Sequence, residues 1–513
     1  MKKTAFAIMI ITVASKILGF GREVILSYFY GASTVSDAYL ISLTIPGVIF
    51  SFIRTGITTG FIPMYSRINH ERGPIAANRF TSNLTSAILI FCTLTIAIGL
   101  VFTRPLVRIF ASGFSKQALE LAVSFTRVSI FAIYFSGLVG LFGGYLSLHK
   151  SYLVPNLIGF PMNIIIILSL IISGRTTIYV LLLGTLIARA SELFLMVPFV
   201  RKKKYRFEPV LDLRDDNLRL MVSTALPVII GTSVNQINVL VDRTLASGIA
   251  VGGISALNYA DRLNGFVQGL FVASISSVMY PMISKMASEH NINGLKATLS
   301  EAIGMMSLMV VPATVGAVVF AEPIVRLLFE RGAFTQDAVV MTSSALKFYS
   351  VGMVAFGMRE ILSRAFYAMQ DTRTPMVNGT IAVAINIVLN IILSQFLGLA
   401  GLALATSVAG MVGAILLLVS LRRIIGGFEL RETVLSFGKI SAAAVLMGLL
   451  SMVVYRHWYV ALGPNLSLLS AIGVGALCYF LLTYLFRVPV VERTVAAVRN
   501  RLGAGGLNDQ DIL

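Results

Sequence analysis

The chain has 513 residues, is 57% hydrophobic and only 12% charged, with a mean hydropathy of +0.86. Soluble globular chains carry about twice that charged fraction, so a soluble fold is excluded, and long apolar runs in place of short alternating segments exclude a β-barrel. Two isolated cysteines, Cys92 and Cys478, and four scattered histidines leave neither a disulfide framework nor a zinc site, and the net charge of +18 calls for an explanation.

The apolar runs and their polar breaks predict an all-α integral membrane protein of about 14 transmembrane helices. In chain order the expected spans are 4–30, 37–68, 78–103, 119–148, 154–173, 177–200, 219–247, 254–288, 296–322, 338–369, 373–397, 399–423, 434–456 and 465–488. The first carries charges, lacks a small-residue cleavage site and leads into further spans, so it is not a signal peptide. Several spans exceed the bilayer thickness and are expected to tilt or bend.

With the N-terminus inside, about 24 Lys and Arg fall on the cytoplasmic side, about 7 outside and about 10 within spans. The cytoplasmic set includes "RKKKYRF" (201–207), Arg422, Arg423, Arg487, Arg493, Arg499 and Arg501. The positive charge is therefore a topology signal with attraction to anionic membrane lipids added, and nucleic acid is not an expected partner. Both termini are expected in the cytoplasm.

The sequence repeats itself. "GASTVSDAYLIS" (31–42) echoes "GGISALNYADRL" (252–263), and "FIPMYSR" (61–67) echoes "MYPMISK" (279–285). "RPLVRIFASGFSKQALELA" (104–122) echoes "EPIVRLLFERGAFTQDAVVM" (322–341), and "YLSLHKSYLVPN" (145–156) echoes "FYAMQDTRTPMVN" (366–378). All four pairs are offset by about 220 residues, the mark of a duplicated domain. The expected organisation is an N-lobe of six helices (1–200), a basic-then-acidic linker (201–218) and a six-helix C-lobe (219–423). Two extra helices (424–488) and a cytoplasmic tail (489–513) follow. An even helix number per half makes the lobes parallel repeats, related by a pseudo-two-fold axis along the membrane normal, as in alternating-access transporters.

Charge inside a membrane costs about 2.5 kcal/mol or more per ion, so such residues face a wet cavity or a partner. The candidates are Lys16, Arg22, Glu23, Arg54, Arg127, Arg189 and Glu192 in the first half. In the second half they are Asp242, Arg243, Asp261, Arg262, Lys347, Arg359, Glu360 and Arg364. Cations outnumber acids by about two to one. Lys16, Arg22, Arg54 and Arg262 lie in the first two helices of each half and are read as lining a cationic cavity, where Arg would serve a phosphate. Arg127, Arg359 and Arg364 lie nearer helix ends and are read as snorkelling or locally paired. Pro46, Gly56, Pro227 and Gly231 are placed where helices that move could bend.

A second constellation joins Asp242 to Asn386 and Asn390, one helical turn apart, and to Thr406. These are hard oxygen donors of the kind that hold sodium. The same residues would also serve as polar glue between helices, and both readings stand at this point. No Ser/His/Asp set, phosphate loop or metal cluster points to catalysis. Glu322 and Glu330 lie in the longest outer loop and are read as structural.

"SKILGFGREVILSYFYG" (15–31), "SDAYLISLTIP" (36–46), "FIPMYS" (61–66), "NYADRL" (258–263) and "DTRTPMVN" (371–378) resemble the MurJ/MviN family of lipid II flippases. The resemblance covers nearly the whole chain. It implies a bacterial inner-membrane transporter that moves undecaprenyl-pyrophosphate-linked disaccharide-pentapeptide to the outer leaflet, not an enzyme. It implies further that Lys16, Arg22 and Arg262 fall on required cationic positions, Lys16 in place of an Arg, and that Asp37 falls on a family acid at the outer start of the second helix. Glu23 and Asp37 are expected with Lys16, Arg22, Arg54 and Arg262 among the substrate-binding residues of the cavity. Glu23 would pair with a cation when the site is empty. Helices 13 and 14 would form a lipid-tail groove. Asp242, Asn386, Asn390 and Thr406 match a sodium site found in some members, with Asn390 where an acid may stand; Na+ is then a possible coupling ion and no other cofactor is implied. A monomer is expected.

The chain departs from the pattern at "IPGVIFSFIRTG" (45–56), where Arg54 stands about one turn late and Thr55 replaces an acid. Asn264 and Gly265 stand where an acid often follows "ADRL". The alternatives are a flippase for another polyprenyl-linked oligosaccharide and, against the cationic bias, a cation-coupled multidrug exporter.

Overall fold

A computed structural model describes residues 2–427 and 430–492, with side chains considered for 10–427 and 434–492. The expected tail beyond 492, with Arg493, Arg499 and Arg501, lies outside the described residues. Among them every regular element is helical. The helices are α1 (Lys2–Tyr30), α2 (Thr34–Gly56), α3 (Ile62–Val101), α4 (Thr103–Phe110), α5 (Lys116–Ser129), α6 (Ala132–Leu148), α7 (Leu153–Leu157), α8 (Gly159–Ser173) and α9 (Ile178–Lys202). They continue as α10 (Asp216–Ile249), α11 (Gly253–Val267), α12 (Ala273–Ser288), α13 (Ile292–Val319), α14 (Ala321–Phe329), α15 (Gln336–Val351) and α16 (Met353–Ala368). The last are α17 (Arg373–Leu397), α18 (Leu399–Ile425) and α19 (Leu430–Leu485).

Among the described residues nine helical segments are long and apolar enough to cross a membrane, or eleven if α5–α6 and α15–α16, bent by 44° and 46°, each count as one crossing. The expected count of fourteen is not reached in this way. Two of the nine, 68 and 52 residues long, far exceed the roughly 20 residues that one crossing needs. Each carries a glycine with non-helical backbone followed by a proline: Gly73 (φ 80°) before Pro74, and Gly463 (φ 71°) before Pro464. Glycine tolerates positive φ, and proline favours the first turn of a new helix, so the pair ends one helix and starts the next.

Large apolar side chains lie exposed along these helices, among them Leu94, Ile98, Leu183 and Phe194. In water such a surface would drive aggregation, whereas in a bilayer it faces lipid. The chain is a multi-pass membrane protein.

Two compact units form: residues 1–259 with 329–341 and 387–402, and residues 260–328 with 342–386 and 403–513. The first has a core around Phe61, Phe80, Leu141 and Tyr145. The second is built on Met279, Leu299, Met306, Ile361 and Phe366. Tyr145 and Phe366, equivalent in the repeat, are both fully buried.

Within the first unit the segment between α9 and α10 is strapped to α3. Asn83 acts as a side-chain copy of a peptide group: its Nδ2 donates to the Asp212 carbonyl (2.9 Å) and its Oδ1 accepts from the Asp212 N–H (2.7 Å). The Glu208 N–H donates to Ser82 Oγ (3.3 Å), and Tyr205 is buried beside Ser82 and Thr85. Asp215 then caps α10 by accepting from the Asn217 N–H at 2.7 Å.

The helices run through Pro46 and Pro227, which both sit inside continuous α-helix. The irregular backbone lies instead in two π-helical segments, Ile57–Phe61 just after Gly56 and Gln268–Val272, one in each half. The connections expected over 104–118 and 323–337 also prove structured. α4 and α14 are short helices where connections were expected, because their apolar residues recur on one helical face.

Candidate functional site

On α1, Lys16 is exposed, Arg22 is partly buried and Glu23 is 4% exposed. Neighbouring residues on a helix diverge by about 100°, so Arg22 must fold its long side chain round to reach Glu23. It does so, donating to Glu23 Oε1 at 2.7 Å, while Asn258 Nδ2 donates to Glu23 Oε2 at 3.3 Å. A buried carboxylate costs several kcal/mol unless paired, which explains why Arg22 and Asn258 converge on it. Arg54 is exposed near the end of α2, and Arg262 is exposed on α11 in the second unit.

Other intramembrane charges pair locally. Arg189 meets Glu192 at 3.2 Å. Arg364 meets Glu360 at 2.9 Å and lies over the Tyr280 ring at 5.7 Å.

Asp37 has a different setting. It is 2% exposed and spends its whole carboxylate on the start of α11. Oδ2 accepts from the Gly252 N–H (2.9 Å), and Oδ1 from the Ser255 N–H (2.8 Å) and Ser255 Oγ (2.5 Å). Helix N-termini leave N–H groups without intrahelical partners and carry partial positive charge, so a carboxylate there is a strong cap. Here the cap comes from the other sequence repeat.

Around this cap, residues of the two halves interlock at backbone level within the first unit. The Tyr259 hydroxyl donates to the Gly31 carbonyl (3.0 Å), and the Ala333 N–H to the Tyr28 carbonyl (2.8 Å). Gly31 (φ 58°), Gly252 (φ 78°) and Gly332 (φ 62°) each meet a backbone carbonyl where a Cβ would stand, those of Ala333, Ala32 and Tyr28. Only glycine permits both the left-handed conformation and the close approach. Tyr259 packs against Phe329 and Phe334 with ring centroids 5.2 and 5.7 Å away. Nearby, the Gly113 N–H donates to Ser247 Oγ at 3.0 Å, and a Cβ on Gly113 would strike Gly248. Sequence reasoning did not anticipate this interlock. Its signal was present in the echo between "GASTVSD" and "GGISALN", which sets Gly31 opposite Gly252.

The oxygen-donor residues gather as two pairs, one in each unit. In the first, Asn390 Nδ2 donates to Asp242 Oδ1 at 2.5 Å, and Asn238 Nδ2 donates to Asp242 Oδ2 at 3.3 Å. In the second, Asn386 Nδ2 donates to Thr406 Oγ1 at 3.4 Å. Asn238, one turn before Asp242, was missed from sequence; its Oδ1 is buried without a hydrogen-bond partner. An unsatisfied amide oxygen beside a carboxylate suits a hard cation, so the donor chemistry fits Na+. Among the described residues no cluster of three His, Cys, Asp or Glu could hold a metal.

The all-helical fold is shared with solved structures of multidrug resistance MATE family transporters. An inward-facing transporter of that group superposes with a TM-score of 0.70 at 15% identity, covering 82% of this chain and 99% of that one. A family model described as "Lipid II flippase MurJ" matches residues 26–472, and the chain belongs to that family. A solved structure described as a lipid II flippase MurJ in an inward closed conformation superposes with a TM-score of 0.81 at 27% identity, covering 93% of this chain and 98% of the other. A probable lipid II flippase MurJ of Vibrio cholerae serotype O1 is 28% identical over 515 residues, covering 96% of this chain and 98% of that protein. The chain is therefore read as a transporter and not as a catalytic enzyme.

Proposed function

We propose that this protein is a lipid II flippase of the bacterial cytoplasmic (inner) membrane, with both termini inside, serving peptidoglycan synthesis. The observation that carries the reading is the family match over residues 26–472. In this reading the lobes 1–200 and 219–423 alternate access, and Lys16, Arg22, Arg54 and Arg262 take the pyrophosphate. Arg supplies paired donors to phosphate oxygens, and Glu23 holds Arg22 when no phosphate is present, in keeping with their 2.7 Å contact. Asp37 acts as the clasp that keeps the outer ends together rather than as a ligand. Its hydrogen bonds to Gly252 and Ser255 would break when the outer side opens. The helices over 424–488 carry the lipid tail, and the protein works as a monomer.

The test uses cells whose own lipid II flippase can be shut off. An impermeant enzyme that cleaves only exposed headgroup reports lipid II on the outer leaflet. Wild-type protein should restore cleavage, and the Arg22→Ala/Arg262→Ala variant, inserted at equal level, should lose it by about a hundredfold or more. Normal cleavage by the double variant would remove the cationic site. No cleavage by correctly inserted wild type would favour another polyprenyl-linked oligosaccharide.

Sodium is proposed as a coupling ion, held by Asp242, Asn386, Asn390 and Thr406, with Asn238 added. It would supply positive charge that neutralises Asp242. Sodium should raise the unfolding temperature of the purified protein and leave that of Asp242→Asn unchanged; an equal rise in both would discard the site.

A further inference from the structure

Where α4 meets α5, residues of the first repeat line an open cavity of about 280 Å³, among them Arg104, Arg108, Ser112, Phe114 and Lys116. Three cations face one small volume. Arg104 is held by Glu120 at 2.7 Å, so the set of Arg104, Arg108, Lys116 and Glu120 carries three positive charges and one negative, a net +2. Among the described residues no ion pair joins Arg108 or Lys116 to a carboxylate, and both side chains are exposed. Gathering like charges is unfavourable, and a concave wall focuses their field on whatever enters.

The second repeat supplies an internal comparison. Arg104, second residue of α4 and followed by Pro105, has Glu322 as its counterpart, second residue of α14 and followed by Pro323. Lys116, the first residue of α5, is matched by Gln336, the first of α15. Of the second copy's two cations, Arg326 folds onto Glu322 at 2.8 Å, and Arg331 follows Glu330 where the first copy has Ala111 and Ser112. Two changes have cancelled the charge in one copy of the motif and left it in the other. Helix packing does not require the excess of positive charge, since the second copy packs with Arg326 and Arg331 matched in number by Glu322 and Glu330.

The surroundings indicate the source of the anion. Val101 is 76% exposed, Phe102 53% and Ile109 53%, all beside the cations. Such side chains at the end of a membrane span sit among acyl chains, with the arginines at headgroup depth. A dissolved anion would need no apolar border. Ligand pockets usually span about 300–1,000 Å³, and this open cavity is of the size of one phosphodiester headgroup.

The geometry points to a binding site for one anionic phospholipid, its phosphodiester held by Arg104, Arg108 and Lys116 with the Ser112 hydroxyl, and its acyl chains along Val101, Phe102 and Ile109. Guanidinium groups give phosphate paired, charge-assisted hydrogen bonds. On the orientation proposed above this lipid lies in the outer leaflet; its binding does not depend on that orientation.

Native mass spectrometry of the purified full-length protein, titrated with phosphatidylglycerol, phosphatidylcholine or inorganic phosphate, tests this without any transport assay. Phosphatidylglycerol should occupy one site on wild type and bind about tenfold more weakly to Arg108→Gln/Lys116→Gln. Arg175→Gln, an exposed cation elsewhere, should bind as wild type does. Glu120→Gln should bind a few-fold more tightly, a gain that misfolding cannot produce. Equal affinity in wild type and the double variant would overturn the site, as would equal loss in Arg175→Gln or no gain in Glu120→Gln. Displacement by inorganic phosphate at matched concentration would overturn the lipid as its occupant.

Discussion

The clasp at Asp37 and the cations of α1 and α2 lie in the same unit and are built in opposite ways. The clasp is almost without water: Asp37 and Ser255 are buried, and three glycines bring carbonyls against backbone. Lys16 and Arg54 are exposed and make none of the hydrogen bonds described above. The first arrangement is over-determined, so it has few alternatives short of release. The second leaves its donors open to a ligand. A transporter needs both, since a gate must have two discrete states while a binding site must exchange water for substrate.

The sharpest way to break the clasp is at Gly252. A valine there would stand in a left-handed conformation with its Cβ against the Ala32 backbone, costing about 3 kcal/mol or more. The purified variant should unfold several degrees below wild type and lose transport. An unchanged unfolding temperature would mean that the interlock contributes little. Asp37→Asn is milder. It keeps the shape but puts an amide where one oxygen accepted N–H groups, at a cost of about 1–3 kcal/mol. Hydrogen exchange at the Gly252 and Ser255 amides should accelerate about tenfold or more, with distant amides unchanged; equal exchange rates would deny Asp37 the role of cap. The smallest effect is expected at Lys16→Gln, where stability should shift by less than about 0.5 kcal/mol because the side chain is exposed. A large loss of stability there would show that the two regions are not built differently after all.

Most of the helical framework was legible, because an apolar run bounded by polar breaks has few other solutions in a bilayer. The Gly-Pro breaks at 73–74 and 463–464 carried their own signature. The ion pair of Arg22 with Glu23 was expected from the resemblance and the neighbouring charges. The interlock was harder to read. Asp37 looks like any acid near a helix start until Gly252 and Ser255, more than 200 residues away, are seen to present their N–H groups to it. Asn238 was overlooked because one more amide in a polar helix looks like ordinary glue. The short helices α4 and α14 escaped notice because each is too brief for a span and too apolar for an ordinary loop.

The sequence by itself determined the solvent, the helices and the duplication. Composition decides what can be buried in lipid, and periodic echoes survive whatever the fold does. Only the tertiary structure decided which polar groups meet: that Asp37 caps a helix of the other repeat, that Glu23 is shared by Arg22 and Asn258, and that three cations around Ser112 face one cavity. Those pairings depend on distances between segments far apart in the chain, and side-chain hydrogen bonds form only within about 3 Å, a precision that residue order alone does not encode.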